Sequence, residues 1–165
     1  MDISLSEFDR FPSQKAVASL MLSNGLCVRD GKIFCGDIEI GDSAMGRAAG
    51  VDRRAVRATV DKIMSTPKLL SVFSKLRSMA LLSDVAPEIG CSVIEIVPKD
   101  ASEPGILSDI TQVIFDAGIS IRQAVVDDRG VGSEAHLIAV LDGHLPPRFI
   151  PLLKSCRGVE SILIR

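Results

Sequence analysis

The sequence lacks the features that would assign it to membranes, secretion or disorder. No apolar run approaches the roughly 18 residues that are needed to span a bilayer. Residues 1–10 are acidic and mixed in character, unlike a secretory signal. At 47% hydrophobic residues, the chain can bury enough apolar surface to fold, which excludes a largely disordered protein. We therefore expect a cytoplasmic protein that makes no contact with a membrane.

The chain also lacks the residue patterns of catalysis and metal binding. It has no Walker-type phosphate loop and no strand-linked Gly-x-Gly-x-x-Gly. Its four cysteines form no Cys-x-x-Cys pair, so we expect reduced thiols. A zinc site assembled from Cys27, Cys35, His136 and His144 is an alternative for which the spacing does not argue. We expect no enzymatic activity, no cofactor and no metal.

The small net charge of −2 conceals an asymmetry along the chain. Residues 47–77 contain eight lysines and arginines against two acidic residues, whereas residues 91–165 contain seven against ten. Basic charge is therefore concentrated around one helical region. This distribution indicates that the first half, and not the second, contacts a polyanion.

Patterns in the first half predict a mainly helical domain with a small hairpin. Apolar residues at helical spacing predict a first helix over 14–23, with Ser13 as its N-cap. Two short apolar runs flank Asp30-Gly31, a pair that is typical of a tight hairpin turn. Alternation over 38–40 predicts a third short strand.

Residues 43–64 have the pattern of a helix-turn-helix. Ser43 is predicted to cap a short helix that ends near Gly50, and Asp52 to cap a second helix. Val51 is predicted to fill the small core between the two helices. Three alanines are expected to supply their close contact: Ala44, Ala48 and Ala49.

The second helix of this pair begins with a group of arginines. Arginine can pair with the major-groove edge of guanine or clamp a phosphate. The segment resembles the helix-turn-helix of bacterial and archaeal transcription regulators, and that resemblance implies DNA as a partner. A helix pair that grips a protein is the alternative. The candidate DNA-binding residues are Ser43, Arg47, Arg53, Arg54 and Arg57.

The strongest amphipathic pattern follows the helix-turn-helix. Apolar residues recur there at three- and four-residue steps and predict one helix from Leu69 to Leu82, which serves as core packing or as a dimer seam. Residues 83–90 are predicted to form a linker. We therefore expect two domains, a helix-turn-helix-like domain with its connecting helix at 1–85 and a second domain at 91–165.

The second half follows a β-α-β-β-α-β order. Strands are predicted at 91–97, 119–126, 135–141 and 159–164, with helices at 105–117 and 147–155 and a polar turn at 127–133. This order is the ferredoxin-like split arrangement, an antiparallel sheet with both helices on one face. The fold class predicted for the whole chain is therefore α+β.

Three short segments of the second half carry a family resemblance. Pro104-Gly105-Ile106-Leu107 opens the first helix, Ala117-Gly118-Ile119 ends it, and Gly158-Val159 precedes the last strand. With them, residues 92–165 resemble an ACT domain, an amino-acid-sensing module of metabolic enzymes and regulators. Where that family usually carries Asp or Asn, this sequence has Ser102 and Ser120.

The resemblance implies an effector site and a partner copy. ACT domains typically pair side by side, so a homodimer with effector sites at its interface is expected. The effector is expected to be an amino acid. A small sugar or polyol stays open, because serine and glutamate side chains suit hydroxyl groups as well. The candidate ligand-binding residues are Ser102, Glu103, Gly105, Ile106, Gly118, Ile119 and Ser120.

These expectations combine into a metabolite-responsive transcription regulator. The effector would favour one placement of the paired sensors, and the helix over 69–82 would pass that change to the DNA-binding helices. One alternative is a ligand-responsive adaptor, or an allosteric regulator of a metabolic enzyme, whose first half binds protein. Another is a second half that pairs two chains without binding any ligand.

Overall fold

The computed structural model describes residues 5–127 and 135–165 of the 165-residue chain. Two compact units divide the chain, Met1–Ala80 and Leu81–Arg165. Across the described ranges, no helix has the length and apolar character that a bilayer crossing requires. The polar turn predicted over 127–133 falls, beyond its first residue, outside the described residues.

The first unit combines helices with a small antiparallel sheet. A 3-10 turn at Leu5–Phe8 precedes them, and the strands pair in the order β1-β2-β3. The chain order is α1 (Pro12–Ser23), β1 (Cys27–Arg29), β2 (Lys32–Cys35), β3 (Ile38–Ile40), α2 (Asp42–Ala49), α3 (Arg53–Ser65) and α4 (Pro67–Phe73).

The predicted hairpin of the first unit is confirmed. Asp30 and Gly31 both have positive φ, 49° and 71°, as a tight two-residue hairpin turn requires. Strand pairing places Arg29 opposite Lys32. The third short strand, Ile38–Ile40, is confirmed as well and pairs with β2.

The two serine caps predicted for the first unit are wrong. Helix α1 begins at Pro12 with Phe11 as its N-cap, because the fixed φ of proline suits the first helical position. Helix α2 begins at Asp42 after Gly41, one residue before Ser43. Neither Phe11 nor Gly41 makes a side-chain cap hydrogen bond.

The long helix predicted from Leu69 to Leu82 is also wrong, because α4 ends at Phe73. Beyond α4 the chain folds back onto the end of α1, where the hydroxyl of Ser78 donates to the carbonyl of Asn24 at 2.6 Å. Leu69 is buried, whereas Met79 is 75% exposed. Contacts with α1 therefore replaced the helix that apolar spacing alone favoured.

The second unit has the predicted ferredoxin-like topology. Its antiparallel sheet has the strand order β5-β6-β4-β7, so the first and third strands of the unit lie at the centre. The chain order is β4 (Ser92–Pro98), α5 (Ile106–Asp116), β5 (Ile121–Asp127), β6 (His136–Leu141), α6 (Ile150–Ser155) and β7 (Val159–Ile164). The predicted α+β fold class is confirmed.

Both faces of this second sheet are covered. One face packs against the helices through a core that includes Ile94, Ile110 and Leu141. The other face packs against the segment before β4, where Ala86 is fully buried and Leu82 is partly buried. The prediction of a linker over 83–90 is therefore wrong, since this segment belongs to the second unit and buries Ala86 against the sheet.

Candidate functional site

Helices α2 and α3 form a helix-turn-helix joined by three residues. Gly50 ends α2 in the left-handed region at φ 67°, and the amide of Val51 donates to the carbonyl of Gly46 at 2.9 Å. A Cβ on Gly46 would lie only 2.8 Å from the carbonyl oxygen of Val51. The helix pair therefore needs glycine at position 46 for its closest approach.

The expectation that three alanines make this contact is wrong. Ala44 and Ala48 are exposed on α2, and Ala49 is only partly buried against the core. A glycine inside a short helix is a signal that could have located the contact, because glycine there costs helix stability and needs a packing reason. Val51 packs against the core of the first unit, as predicted.

The start of α3 is fixed by its cap and its buried face. Asp52 accepts a hydrogen bond from the backbone amide of Arg54 at 2.7 Å, which confirms the predicted N-cap. Val56, Val60 and Ile63 are fully buried along one face. The first turn of α3 is thus held by its cap and by the buried face of the helix, and its arginines lie on the exposed side.

The five candidate DNA-binding residues are all exposed, but their side chains differ in their partners. The guanidinium of Arg57 donates to the carbonyl of Gly31 at 3.0 Å and pairs with Asp61 at 2.9 Å. Among the described residues, the side chains of Arg53 and Arg54 have no ion-pair or hydrogen-bond partner. These two guanidinium groups are available to bind an anion.

The remaining basic residue of α3, Lys62, has a structural position. Its ammonium donates to the carbonyl of Glu7 and lies 5.1 Å from the ring centre of Phe8 and 4.6 Å from that of Phe11. These contacts attach α3 to the beginning of the chain. Lys62 therefore adds less to a polyanion surface than its charge suggests.

In the second unit, the loop before α5 contains the first group of predicted ligand residues. The hydroxyl of Ser102 donates to Asp100 at 2.6 Å, and its amide donates to the same oxygen at 2.9 Å. These two bonds lower the pKa of the Asp100 carboxyl, the hydroxyl contributing most. Ser102 thus shapes the loop, and its hydroxyl is already engaged.

Glu103, Gly105 and Ile106 meet the turn between α6 and β7. A Cβ on Gly158 would lie 2.8 Å from Cδ1 of Ile106 and 3.0 Å from Oε2 of Glu103. Nη1 of Arg157 lies 3.7 Å from the position of a Cβ on Gly105. Sequence reasoning missed Arg157, since no local motif links it to a loop so far away in the chain.

A cavity of about 160 Å³ opens beside this loop. Glu103, Gly105 and His136 contribute the polar part of its wall. Much of the rest is aliphatic, provided by Ile96, Ile106, Leu107, Val126 and Leu137. The wall thus places one carboxylate beside a mostly apolar space. Leu107, in the first turn of α5, is 46% exposed and lies at this opening.

The second group of predicted ligand residues lies at the other end of α5. Gly118 has φ 72° and ends the helix, and the amide of Ile119 donates to the carbonyl of Ile114 at 3.3 Å, which confirms the predicted glycine cap. An 11-residue helix separates this end from Gly105, a distance of about 16 Å at 1.5 Å per residue. Within one protomer, a small effector cannot contact both groups.

A charged cluster on the same sheet shares His136 with the wall of the cavity. Nδ1 of His136 and an η nitrogen of Arg165 each donate to Glu95 at 2.6 Å. The hydrogen bond from His136 is the largest cause that lowers the pKa of Glu95, and Arg165 adds to it against the opposing effect of burial. Only 16% of the Glu95 side chain is exposed. The cluster neutralises a carboxylate on the central strand.

The cysteines and the possible metal ligands stay apart. All four cysteines are free thiols, and burial raises the pKa of the Cys156 thiol, with a smaller effect from Asp109. Within residues 5–127 and 135–165, no group of three or more His, Cys, Asp or Glu side chains is placed to hold a metal ion.

Comparisons with known proteins show similarity to solved structures at low identity. The sequence matches no family model. A search of curated proteins found no match either. The P2 domain of the chemotaxis kinase CheA from Thermotoga maritima, solved with the response regulator CheY, has a TM-score of 0.37 at 9% identity, covering 46% of this chain and 95% of that one.

Two further solved structures align over nearly the whole chain. Escherichia coli AsnC has a TM-score of 0.32 at 14% identity, covering 93% of this chain and 89% of that one. A transcriptional regulator from Neisseria meningitidis in complex with L-Met has a TM-score of 0.30 at 9% identity, covering 93% and 86%. All three TM-scores lie below 0.5, so these similarities assign no function to this chain.

Proposed function

We propose that this protein is a metabolite-responsive transcription regulator that binds DNA through α3 and senses a small effector through its second unit. The observation that carries the proposal is the start of α3. There, a capped helix on a tight three-residue turn exposes Arg53 and Arg54, which have no partner among the described residues. In a helix-turn-helix, the first residues of the second helix are those nearest the bases.

The charge distribution supports DNA as the partner of the first unit. Residues 47–77 contain eight basic against two acidic residues, and one of the acidic residues, Asp52, is engaged in capping α3. Arg57 holds the tip of the β1–β2 hairpin beside α3, so the hairpin turn and the helix form one surface. Candidate contacts also include Ser43 and Arg47, both exposed on α2.

The second unit is proposed to sense an amino acid. Glu103, Gly105 and Ile106 line a cavity that combines a carboxylate with aliphatic walls, and this combination suits a cation that carries an apolar group. Because Gly118–Ser120 lies about 16 Å away, a site that uses both groups needs a second copy. We therefore propose a homodimer in which the loop of one chain approaches the β5 start of the other.

Coupling between sensing and DNA binding is proposed to act through the dimer. An effector that binds one pairing of the two sensors more tightly shifts the population toward that pairing. The spacing of the two α3 helices changes with it, and so does affinity for DNA. Since α4 ends at Phe73, this coupling does not use a continuous helix from 69 to 82.

Two measurements on the purified protein test the proposal. The first is a thermal-shift screen against the twenty amino acids and a panel of small sugars and polyols, in which a bound effector raises the melting temperature. The second is fluorescence anisotropy of a labelled mixed-sequence DNA duplex, with and without the effector. DNA binding that a stabilising metabolite changes supports the proposal. A protein that never retains DNA favours a protein-binding adaptor.

A further inference from the structure

Arg157 lies where it can determine which effectors the second unit accepts. It follows α6 in the turn that leads to β7, and its side chain is 64% exposed. Its Nη1 reaches to 3.7 Å from the Cβ position of Gly105, the residue immediately before α5. Because Gly105 has no Cβ, the guanidinium lies against the loop at van der Waals distance, and a ligand carboxylate would bind its exposed side next to the loop.

The present partner of Arg157 holds it only weakly. Nε of Arg157 lies 3.8 Å from Oδ2 of Asp109, which is near the limit for an ion pair, and both side chains are open to solvent. Exposed pairs of this kind contribute little to stability. A ligand carboxylate that pairs bidentately with the guanidinium would compete well against Asp109.

A carboxylate, that of Glu103, lies beside the same loop. Glu103 lines the cavity, and its Oε2 lies 3.0 Å from the Cβ position of Gly158, next to Arg157 in sequence. One carboxylate and one guanidinium therefore flank the Gly105 turn. Between them they match the ammonium and carboxylate groups of a zwitterion, while the aliphatic cavity wall matches an apolar side chain.

We propose that Arg157 is the specificity-determining residue of this site, and that with Glu103 and the cavity it selects an α-amino acid with an aliphatic side chain over the corresponding amine or amide. The inference rests on the proposed sensing function of the second unit. Arg157 is the residue that binds the carboxylate of the effector.

The test compares acids with amides on the full-length protein. L-valine, L-leucine and L-methionine and their three amides are titrated by calorimetry into wild type, Arg157→Ala and Arg157→Lys. Wild type should bind at least one acid about tenfold or more tightly than its amide, as a charge-assisted bidentate pair implies. Arg157→Ala should abolish that preference while keeping the affinity for the amide, and Arg157→Lys should restore part of it.

Lys154→Ala is the matched control. It removes one positive charge from exposed α6, three residues before Arg157, and should preserve the preference for the acid. Circular dichroism of each unliganded variant checks folding, and the exposure of Arg157 leads us to expect native spectra. Glu103→Gln should weaken binding of acid and amide alike, because both carry the ammonium group.

Two results would overturn the inference. One is an unchanged preference for the acid in Arg157→Ala, and the other is the absence of binding by all three acids. If wild type still binds DNA and responds to another metabolite, this inference fails and the proposed regulator stands. If wild type binds aliphatic amino acids through Arg157 but never binds DNA, the inference stands and the regulator fails.

Discussion

Gly46 and Val51 meet at the closest approach of α2 and α3, where a Cβ on the glycine would lie 2.8 Å from the valine carbonyl oxygen. That carbonyl belongs to the turn and cannot move away as a flexible side chain could. The same glycine accepts the amide of Val51 through its own carbonyl at 2.9 Å. The geometry of the proposed DNA-binding motif therefore depends on the absence of a side chain at Gly46.

Gly46→Ala should destabilise the first unit. The added methyl group overlaps backbone, and overpacking of this kind costs about 1–3 kcal/mol. The melting midpoint should fall by several degrees, and DNA affinity should fall with it. Gly41→Ala is the control, because a Cβ there meets no atom within 4 Å and its φ is −69°. Equal melting midpoints for the two variants would contradict the tight contact.

Asp52→Ala should weaken the start of α3. The carboxylate accepts from the amide of Arg54 at 2.7 Å, and loss of such a cap costs about 1 kcal/mol. Chemical denaturation followed by circular dichroism measures the change in the free energy of unfolding. Asp52→Ser retains a capping oxygen, so its free energy of unfolding should be close to that of wild type. If serine and alanine destabilise equally, the cap is not what fixes this helix end.

Lys62→Ala should reduce stability without changing how DNA binding depends on salt. The ammonium contacts the rings of Phe8 and Phe11 and the carbonyl of Glu7, and together these contacts contribute about 1 kcal/mol. Lys62→Met retains the aliphatic stem and should recover part of the loss. A weaker salt dependence of DNA affinity in Lys62→Ala would instead show that Lys62 contacts the DNA.

Glu95→Gln should lower the free energy of unfolding at neutral pH. The carboxylate accepts from His136 and Arg165, and hydrogen bonds to charged groups are each worth about 1.5–3 kcal/mol. Because folding lowers the pKa of Glu95 below its ordinary value of 4.5, its contribution is complete above that pH and is lost as pH falls through the lowered value.

Denaturation of wild type and Glu95→Gln at several pH values checks this sign. The difference between their unfolding free energies should be largest at neutral pH and should shrink below about pH 4.5. Glu160→Gln, at an exposed position of β7, should show no such pH-dependent difference. If the difference in unfolding free energy between wild type and Glu95→Gln stays constant down to acid pH, the ionised carboxylate does not stabilise the fold.

Several short-range signals in the sequence predicted local structure correctly, although the caps at Ser13 and Ser43 were wrong. The Asp30-Gly31 turn, the Asp52 cap and the glycine ends of α2 and α5 each depend on residues within one or two turns of each other. The β-α-β-β-α-β order likewise fixed the strand order of the second sheet, since few topologies satisfy it.

Long-range contacts explain what the sequence could not predict. The helix expected from Leu69 to Leu82 is replaced by a fold-back in which Ser78 bonds to Asn24, a contact that no local window contains. Arg157 reaches Gly105 only because the turn after α6 meets the loop before α5. Within one chain, α5 holds the two groups of candidate ligand residues at its opposite ends, so only a second copy can bring them into one site.

The proposed binding of DNA by α3 is tested most directly by the salt dependence of the DNA affinity. Anisotropy titrations over a range of salt concentrations compare wild type, Arg53→Ala/Arg54→Ala and Lys68→Ala/Lys75→Ala. Both double variants remove two positive charges from exposed positions of the first unit, but only one alters α3. Each phosphate contact contributes about 0.9 to the slope of log affinity against log salt.

We predict that the arginine double variant loses most of its DNA affinity and that its slope falls by about 2, whereas the lysine double variant keeps the slope of wild type. Such a result would place Arg53 and Arg54 on the nucleic acid. Equal slopes for the two double variants, or a wild type that binds no DNA even at low salt, would contradict the account.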